Sequence, residues 1–175
     1  MTAIHLTKEE QYLTFRLDKE SFALAITKVK EVLDFTHLTK VPRTPDFVRG
    51  VINLRGNVVS VVDLRMNLGM GATEITEETG IIILESEVNH EVVLVGALVD
   101  ALQAVVGIPN DRVAPPPKLG THLNTEFVLG IGKTDDMFRI IIDIDRIIEA
   151  DEQTIAAETA NQLEHKGMTG GEVQA

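Results

Sequence analysis

Cysteine and tryptophan are absent from this 175-residue chain, and it holds only one Tyr and six Phe. Without cysteine there is no disulfide framework, no thiolate nucleophile and no Cys-based zinc site. With aromatics at 4%, a core has to be built from aliphatic side chains, which favours strands rich in Val and Ile. Cations are in deficit too: 16 Lys and Arg stand against 27 Asp and Glu, a net charge of −11. Long-range repulsion therefore opposes nucleic acid and anionic lipid as partners, and the few cations form no block. Nowhere do about 18 apolar residues run unbroken, so direct membrane insertion is not expected. The leader, residues 1–10, lacks the basic start and apolar run of a signal peptide, which sets a cytoplasmic location as the expectation.

Catalytic patterns are missing as well. His5, His37, His90, His122 and His165 are scattered with no i, i+4 pair, and no Ser sits in a G-x-S-x-G elbow. Gly132-Lys133-Thr134 imitates the end of a phosphate-binding loop, but Phe127 stands where the first Gly must be, and a hairpin follows where a helix is required. Asp63, Asp100 and Asp143 lie in apolar strands. Asp63 and Asp143 read as strand-ending carboxylates that accept backbone N–H bonds. No catalytic residue, metal or cofactor is expected, and the protein reads as a non-enzyme. The alternative of another class, a small-ligand or catalytic barrel, would need a convergent polar pocket.

What is present centres on Val41 to Gly69. Pro42 and Pro45 push Val41 and Thr44 toward extended geometry, and a short turn carrying Asp46 and Phe47 follows. Gly50 then releases the chain into a hairpin: Val51, Ile52 and Leu54 form one arm, Arg55-Gly56-Asn57 the turn, and Val58 to Leu64 the other arm. The pattern Pro45-x-Phe47-x-x-Gly50-Val51-x-Asn53-Leu54-Arg55-Gly56, followed by Val61-Val62-Asp63-Leu64-Arg65, resembles the core signature of the CheW family of bacterial chemotaxis adaptors. The resemblance in order of elements runs from Gln11 to Glu149.

Elsewhere, Tyr12 to Leu17 and Phe22 to Ile26 alternate as strands around a turn at Asp18-Lys19-Glu20, and Thr27 to Leu33 reads equally as a helical turn or an edge strand. Residues 67–79 turn to Gly, Met, Thr and Glu with little periodicity, a surface connection that sets the expected boundary between two units of one domain, 11–149. Gly80 to Leu84 is a continuous apolar strand. Val92 to Val106 is one long strand or two broken near Asp100. Pro109 and Pro115-Pro116-Pro117 stiffen a loop, a short helix is expected over Thr121 to Glu126, and Phe127 to Ile144 form a last hairpin. Phe47, Gly50 and Asp63 recur 80 positions on as Phe127, Gly130 and Asp143, with Val48/Val128 and Leu64/Ile144 in step. That is a gapless internal repeat of a small β unit, each copy a candidate closed barrel. Asp145 is the expected cap of a short helix, and residues 150–175 read as a weak helix and a disordered tail.

The resemblance adds expectations that the pattern alone does not carry. It implies a mainly β fold, two five-stranded SH3-like barrels with short helices and a C-terminal helix and tail. It implies an adaptor coupling chemoreceptors to the histidine kinase CheA, with no cofactor and with recruitment to membrane receptor arrays through its partners. A non-swimming output, such as surface motility, is the alternative within the family. Val29, Glu31 and Arg55, with Ile81, Leu102 and Val105 on the other wall, are the implied groove for the helical tip of a chemoreceptor. Leu38 and Leu119 are the implied contacts to the kinase regulatory domain. Pro45, Phe47, Gly50, Asn53, Gly56, Asp63, Gly130 and Asp143 are the implied structural signature. The same double barrel occurs as the end of the kinase and in adaptors bearing a receiver domain; the short flanks here favour a standalone adaptor.

Overall fold

A computed structural model describes residues 8–116 and 125–173, with the side chains of the last helix described as far as Asn161. In order the elements are β1 (Glu9–Leu17), β2 (Glu20–Ala25), β3 (Val29–Asp34), β4 (Val48–Leu54), β5 (Asn57–Asp63), α1 (Leu64–Asn67), β6 (Gly80–Val88), β7 (Glu91–Val99), β8 (Ala101–Pro109), β9 (Val113–Ala114), β10 (Val128–Thr134), β11 (Met137–Ile142) and α2 (Ile144–Val173). Three hairpins turn through two consecutive residues with positive φ: Arg55-Gly56, Asn89-His90 and Asp135-Asp136. That backbone twist matches the right-handed twist of paired strands, so the turns set the registers Leu54 to Asn57, Val88 to Glu91 and Thr134 to Met137. The stretch Thr27 to Leu33 uses both of its options: a 3-10 turn over Ile26–Lys28 and then β3 at a sheet edge.

The strands form two sheets, ordered β3-β6-β7-β5-β4 and β8-β1-β2-β11-β10-β9. The expected boundary at 67–79 is therefore wrong, because β5 before it and β6 and β7 after it share one sheet. The chain changes sheets instead at the 3-10 turn between β2 and β3, and at Asp100 between β7 and β8. One barrel is continuous in sequence, β3 to β7. The other is split, with the β1–β2 hairpin completing a sheet otherwise made by β8 to β11. Parallel pairings hold the joins: β5 with β7, and β11 with β2. Nor is the 68–79 segment a surface link throughout, since Leu68 is fully enclosed and Thr73 is buried.

Both sheets curl until their outer strands meet. In the continuous barrel, Thr39 just beyond β3 bridges to Val51 on β4. In the split barrel, Ile108 on β8 lies against Gly132 on β10, where a Cβ would meet its Cδ1 at 3.0 Å. Alternation then buries both faces of the central strands. Ile81 and Ile83 point into the continuous barrel with Ile52, Val59, Val61 and Leu98, while Tyr12, Ala23, Ile108 and Ile141 fill the split one. The largest core lies between the barrels, where Ile82, Leu84 and Val95 meet Leu13, Phe15, Leu17, Phe22 and Leu24, with Leu64, Ile144, Ile147 and Ile148 of the helices. Strand β1 accordingly has two buried faces where its sequence shows one apolar and one mixed.

The internal repeat is real in three dimensions. Phe47 O accepts Asp63 N at 2.7 Å, and Phe127 O accepts Asp143 N at 2.8 Å. Both hairpins carry a bulge at the same place, between Val48 and Gly50 and between Val128 and Gly130. At each of those glycines a Cβ would strike a backbone carbonyl, Thr39 O at 2.7 Å and Ala114 O at 2.8 Å. A helix follows each copy. The cap of α2 is Asp143, whose Oδ1 accepts Arg146 N at 3.2 Å; Asp145, the expected cap, turns instead to Lys28 and Ser86, at 2.7 Å each. The segment expected as a weak helix and tail continues α2 without a break to Val173. Of the helix expected over Thr121 to Glu126, residues 121–124 lie outside the described residues, and Thr125–Phe127 is a 3-10 turn. Among the described residues no helix is long and apolar enough to cross a membrane.

Candidate interaction surface

The hairpin tip is built from side chain and backbone together. Asn53 Oδ1 accepts the Gly56 N–H at 2.9 Å, closing the turn on itself and holding Arg55 at φ 52°. From that position the Arg55 guanidinium reaches Glu31 on β3 through two parallel bonds, Nη1 to Oε1 at 2.8 Å and Nη2 to Oε2 at 2.9 Å. Since β3 and β4 are opposite edges of one sheet, the fork also spans the barrel seam. The Arg55 side chain is 73% exposed, so the pair contributes only ~0.2–1 kcal/mol to stability. Its outward face stays open to solvent, charged and preorganised.

The opposite face of β3 carries an apolar row. Neighbours across a ladder share a face, so Val29, paired with Leu84, and Val32, paired with Ile82, sit on the side of β3 that faces the inter-barrel core. Leu102, paired with Phe15, and Val105, paired with Leu13, do the same on β8. Both strands are sheet edges, one from each barrel, and their apolar rows run out from under the shared core. Val29 and Leu102 are half-buried against that core, whereas Val32 and Val105 are 45% and 53% exposed. Leu102 spans the gap, lying over Gly80 of β6, where a Cβ would meet its side chain at 2.8 Å. A hydroxyl fixes this edge: Thr14, at the β1 bulge, donates to Ala104 O at 2.9 Å and accepts Ala104 N at 3.0 Å.

Of the expected groove residues, Val29, Glu31 and Arg55 gather on one barrel and Leu102 and Val105 on the other. Ile81 does not join them. It is fully enclosed inside the continuous barrel, one residue out of phase with Ile82 of the inter-barrel core, and no partner reaches it without opening the sheet. Val32 takes its place in the row. Its signal is visible only once β3 is paired with β6, because on its own the run Glu31-Val32-Leu33 does not say which face is outward. Leu38 is half-buried against the continuous barrel's core, with its Cβ 2.9 Å from where a Gly50 Cβ would stand. Leu119 lies outside the described residues.

A polar frame under the hairpin keeps these parts in register. The Asp63 carboxylate, fully buried, accepts Arg49 Nη1 at 2.6 Å, Thr73 N and Thr73 Oγ1 at 2.8 Å each, and the α1 amides of Arg65 and Met66 at 3.1 and 3.4 Å. Pro45 O accepts Val48 N at 3.0 Å, which sets Phe47 against the inter-barrel core. Asp100 ties the barrels, accepting Asp18 N at 2.6 Å and Arg65 Nη1 at 3.4 Å. Asp145 ties α2 to the continuous barrel. Burial pushes its carboxyl up, but the bonds from Lys28 and Ser86 outweigh that and hold it below the usual carboxylate range. Among the described residues no cluster of His, Asp or Glu is placed to hold a metal.

Known proteins share this sequence pattern and fold. Residues 11–152 match the family model for the CheW-like domain. The chemotaxis protein CheW of Klebsiella aerogenes is 30% identical over 154 residues, covering 88% of this chain and 90% of that one. Protein FrzA of Myxococcus xanthus is 32% identical over 123 residues, covering 70% and 74%. Among solved structures, the scaffolding protein TtCheW from Thermoanaerobacter tengcongensis superposes with a TM-score of 0.72 at 37% identity, covering 81% of this chain and 94% of that one. With the signature hairpin, the paired barrels and these relatives in agreement, the chain belongs to the CheW-like family of chemotaxis adaptors.

Proposed function

We propose that this protein couples chemoreceptors to a CheA-type histidine kinase, with the inter-barrel groove receiving the helical cytoplasmic tip of the receptor, and with Leu38 and, separately, Leu119 as contacts to the kinase regulatory domain. The observation that supports the groove is its composition from two edge strands of different barrels, Val29 and Val32 on β3 and Leu102 and Val105 on β8, their rows facing the same inter-barrel core. An amphipathic helix suits such a channel, apolar face down and polar face to solvent. Each aliphatic anchor it covers is worth ~1.5–3 kcal/mol before ordering costs. Because the two barrels share one packed core, both partners act on a single rigid body. If each favours the same geometry of that body, binding is linked by ~1–3 kcal/mol. The protein then works in the cytoplasm and reaches the membrane array through its partners.

The test is titration of the purified chain against a soluble receptor cytoplasmic fragment and against the kinase regulatory domain. Val32→Lys and Val105→Lys should each weaken receptor binding about tenfold or more, the loss of one ~1.5 kcal/mol anchor. Kinase binding and the melting transition should stay near the parent values. Unchanged receptor binding in both variants would refute the groove, and a parent chain that binds neither partner would refute the adaptor role.

A further inference from the structure

Helix α2 leaves the body of the molecule at Asp151. Up to that point it is anchored by Ile144, Ile147 and Ile148; beyond it every described side chain is exposed except the half-buried Ile155. The last grip is polar. Asp151 is 9% exposed and its Oδ1 accepts Asn67 Nδ2, at the end of α1, at 2.8 Å. The other two oxygens of the same pair, Asp151 Oδ2 and Asn67 Oδ1, are both buried and both lack a partner. Two leftover acceptors on two bonded side chains are short of one hydrogen. A proton on Oδ2 supplies it, and carboxylic acid and amide then form a reciprocal pair with no buried oxygen left over.

We propose that Asp151 and Asn67 form a proton-operated latch: neutral Asp151 clasps α2 to α1, and ionised Asp151 lets the exposed part of the helix swing away from the body. The charges on the packed elements do not oppose this. On α1, Arg65 is committed to Asp100 and to Met70 O. Lys28, before β3, is held by Asp145, and on β6 Glu85 pairs with Lys30 while Ser86 donates to Asp145. Glu126, before β10, receives Arg146 on its backbone carbonyl. On α2 itself, Glu149 and Glu152 add negative charge. Burial pushes the Asp151 carboxyl up to about 7, the Asn67 bond pulling the other way and Glu152 adding to the rise. The switch therefore falls near neutral pH.

The absence of native cysteine allows two unique spin labels, at Ala157→Cys on the exposed part of α2 and Glu91→Cys on the continuous barrel. In the otherwise native chain the inter-label distance distribution should be narrow at pH 5.5 and at least twofold broader at pH 8.5. Asp151→Asn, which keeps a reciprocal amide pair at any pH, should stay narrow at both; Asn67→Ala should be broad at both. Circular dichroism establishes that each variant is folded. A parent distribution that does not change with pH, or the same change in Asp151→Asn, would overturn the latch. So would a carbon-13 carboxyl titration placing Asp151 in the ordinary carboxylate range.

Discussion

Truncating Asp63 and Asp143 to alanine separates what the two copies of the repeat share from what one has added. Both carboxylates end the second strand of their hairpin and cap the helix that follows. Losing a cap costs ~1 kcal/mol, and that is the whole expected effect of Asp143→Ala. Asp63 does more. It also receives Arg49 at 2.6 Å and both the backbone and the hydroxyl of Thr73 at 2.8 Å, in full burial. Removing one partner of a buried ion pair costs ~3–5 kcal/mol, mostly for the charge left behind. Arg49 is 27% exposed in its side chain and keeps the Thr73 carbonyl at 3.1 Å, so the low end applies. Adding the cap gives about 4 kcal/mol for Asp63→Ala, a large share of the ~5–15 kcal/mol typical of a domain. Urea unfolding followed by far-ultraviolet circular dichroism measures both, since a chain without Trp gives no tryptophan fluorescence. Equal losses in the two variants, within extrapolation error, would refute the claim that Asp63 carries the frame.

Reversing the fork, Glu31→Arg with Arg55→Glu, should restore most of the ~0.2–1 kcal/mol that either single change removes, since the pair is exposed. Receptor binding should stay weakened in the double variant; if it recovers with stability, the fork's polarity plays no part in recognition. Asp151 also makes a stability prediction whose sign follows from its raised folded-state value, about 7 against ~3.9 unfolded. The unfolded chain gives up this proton first, so the contribution is full below about pH 4 and is lost as pH rises through 7. At ~1.4 kcal/mol per unit the ceiling is about 4 kcal/mol. Asp151→Asn should match the parent near pH 4 and exceed it in urea midpoint at pH 8, and a parent whose advantage grows with pH would contradict the assignment.

The hairpins and the repeat are legible because their causes are local. Gly56 and the paired Asp135-Asp136 announce turns, and Phe47, Gly50 and Asp63 recur at a constant offset because the same bulge, close approach and cap are built twice. The barrel boundary has no such signature. It is decided by parallel pairings such as Ser60 with Val95 and Ile140 with Phe22, between residues too far apart for any composition shift to mark. The change of composition at 67–79 marks a true loop, but one inside a barrel. Ile81 fails for a related reason: in an unbroken apolar run buried on both faces, periodicity cannot tell interior from interface. Asp143 was within reach as the α2 cap, since its repeat partner Asp63 ends a strand in the same way; Asp145 is simply the nearer carboxylate to the apolar turn.

The split barrel implies an order of assembly. Residues 29–99 hold every strand of the continuous barrel, and none of those strands pairs with one outside that range. The β1–β2 hairpin, made first during synthesis, has no sheet to join until β8 and β11 appear more than seventy-five residues later. Until then Leu13, Phe15 and Phe22 have only one side of their eventual packing available. A ribosome-bound chain should therefore hold a folded middle and a waiting front end, with the slow, long-range step being the return of the C-terminal half to claim it.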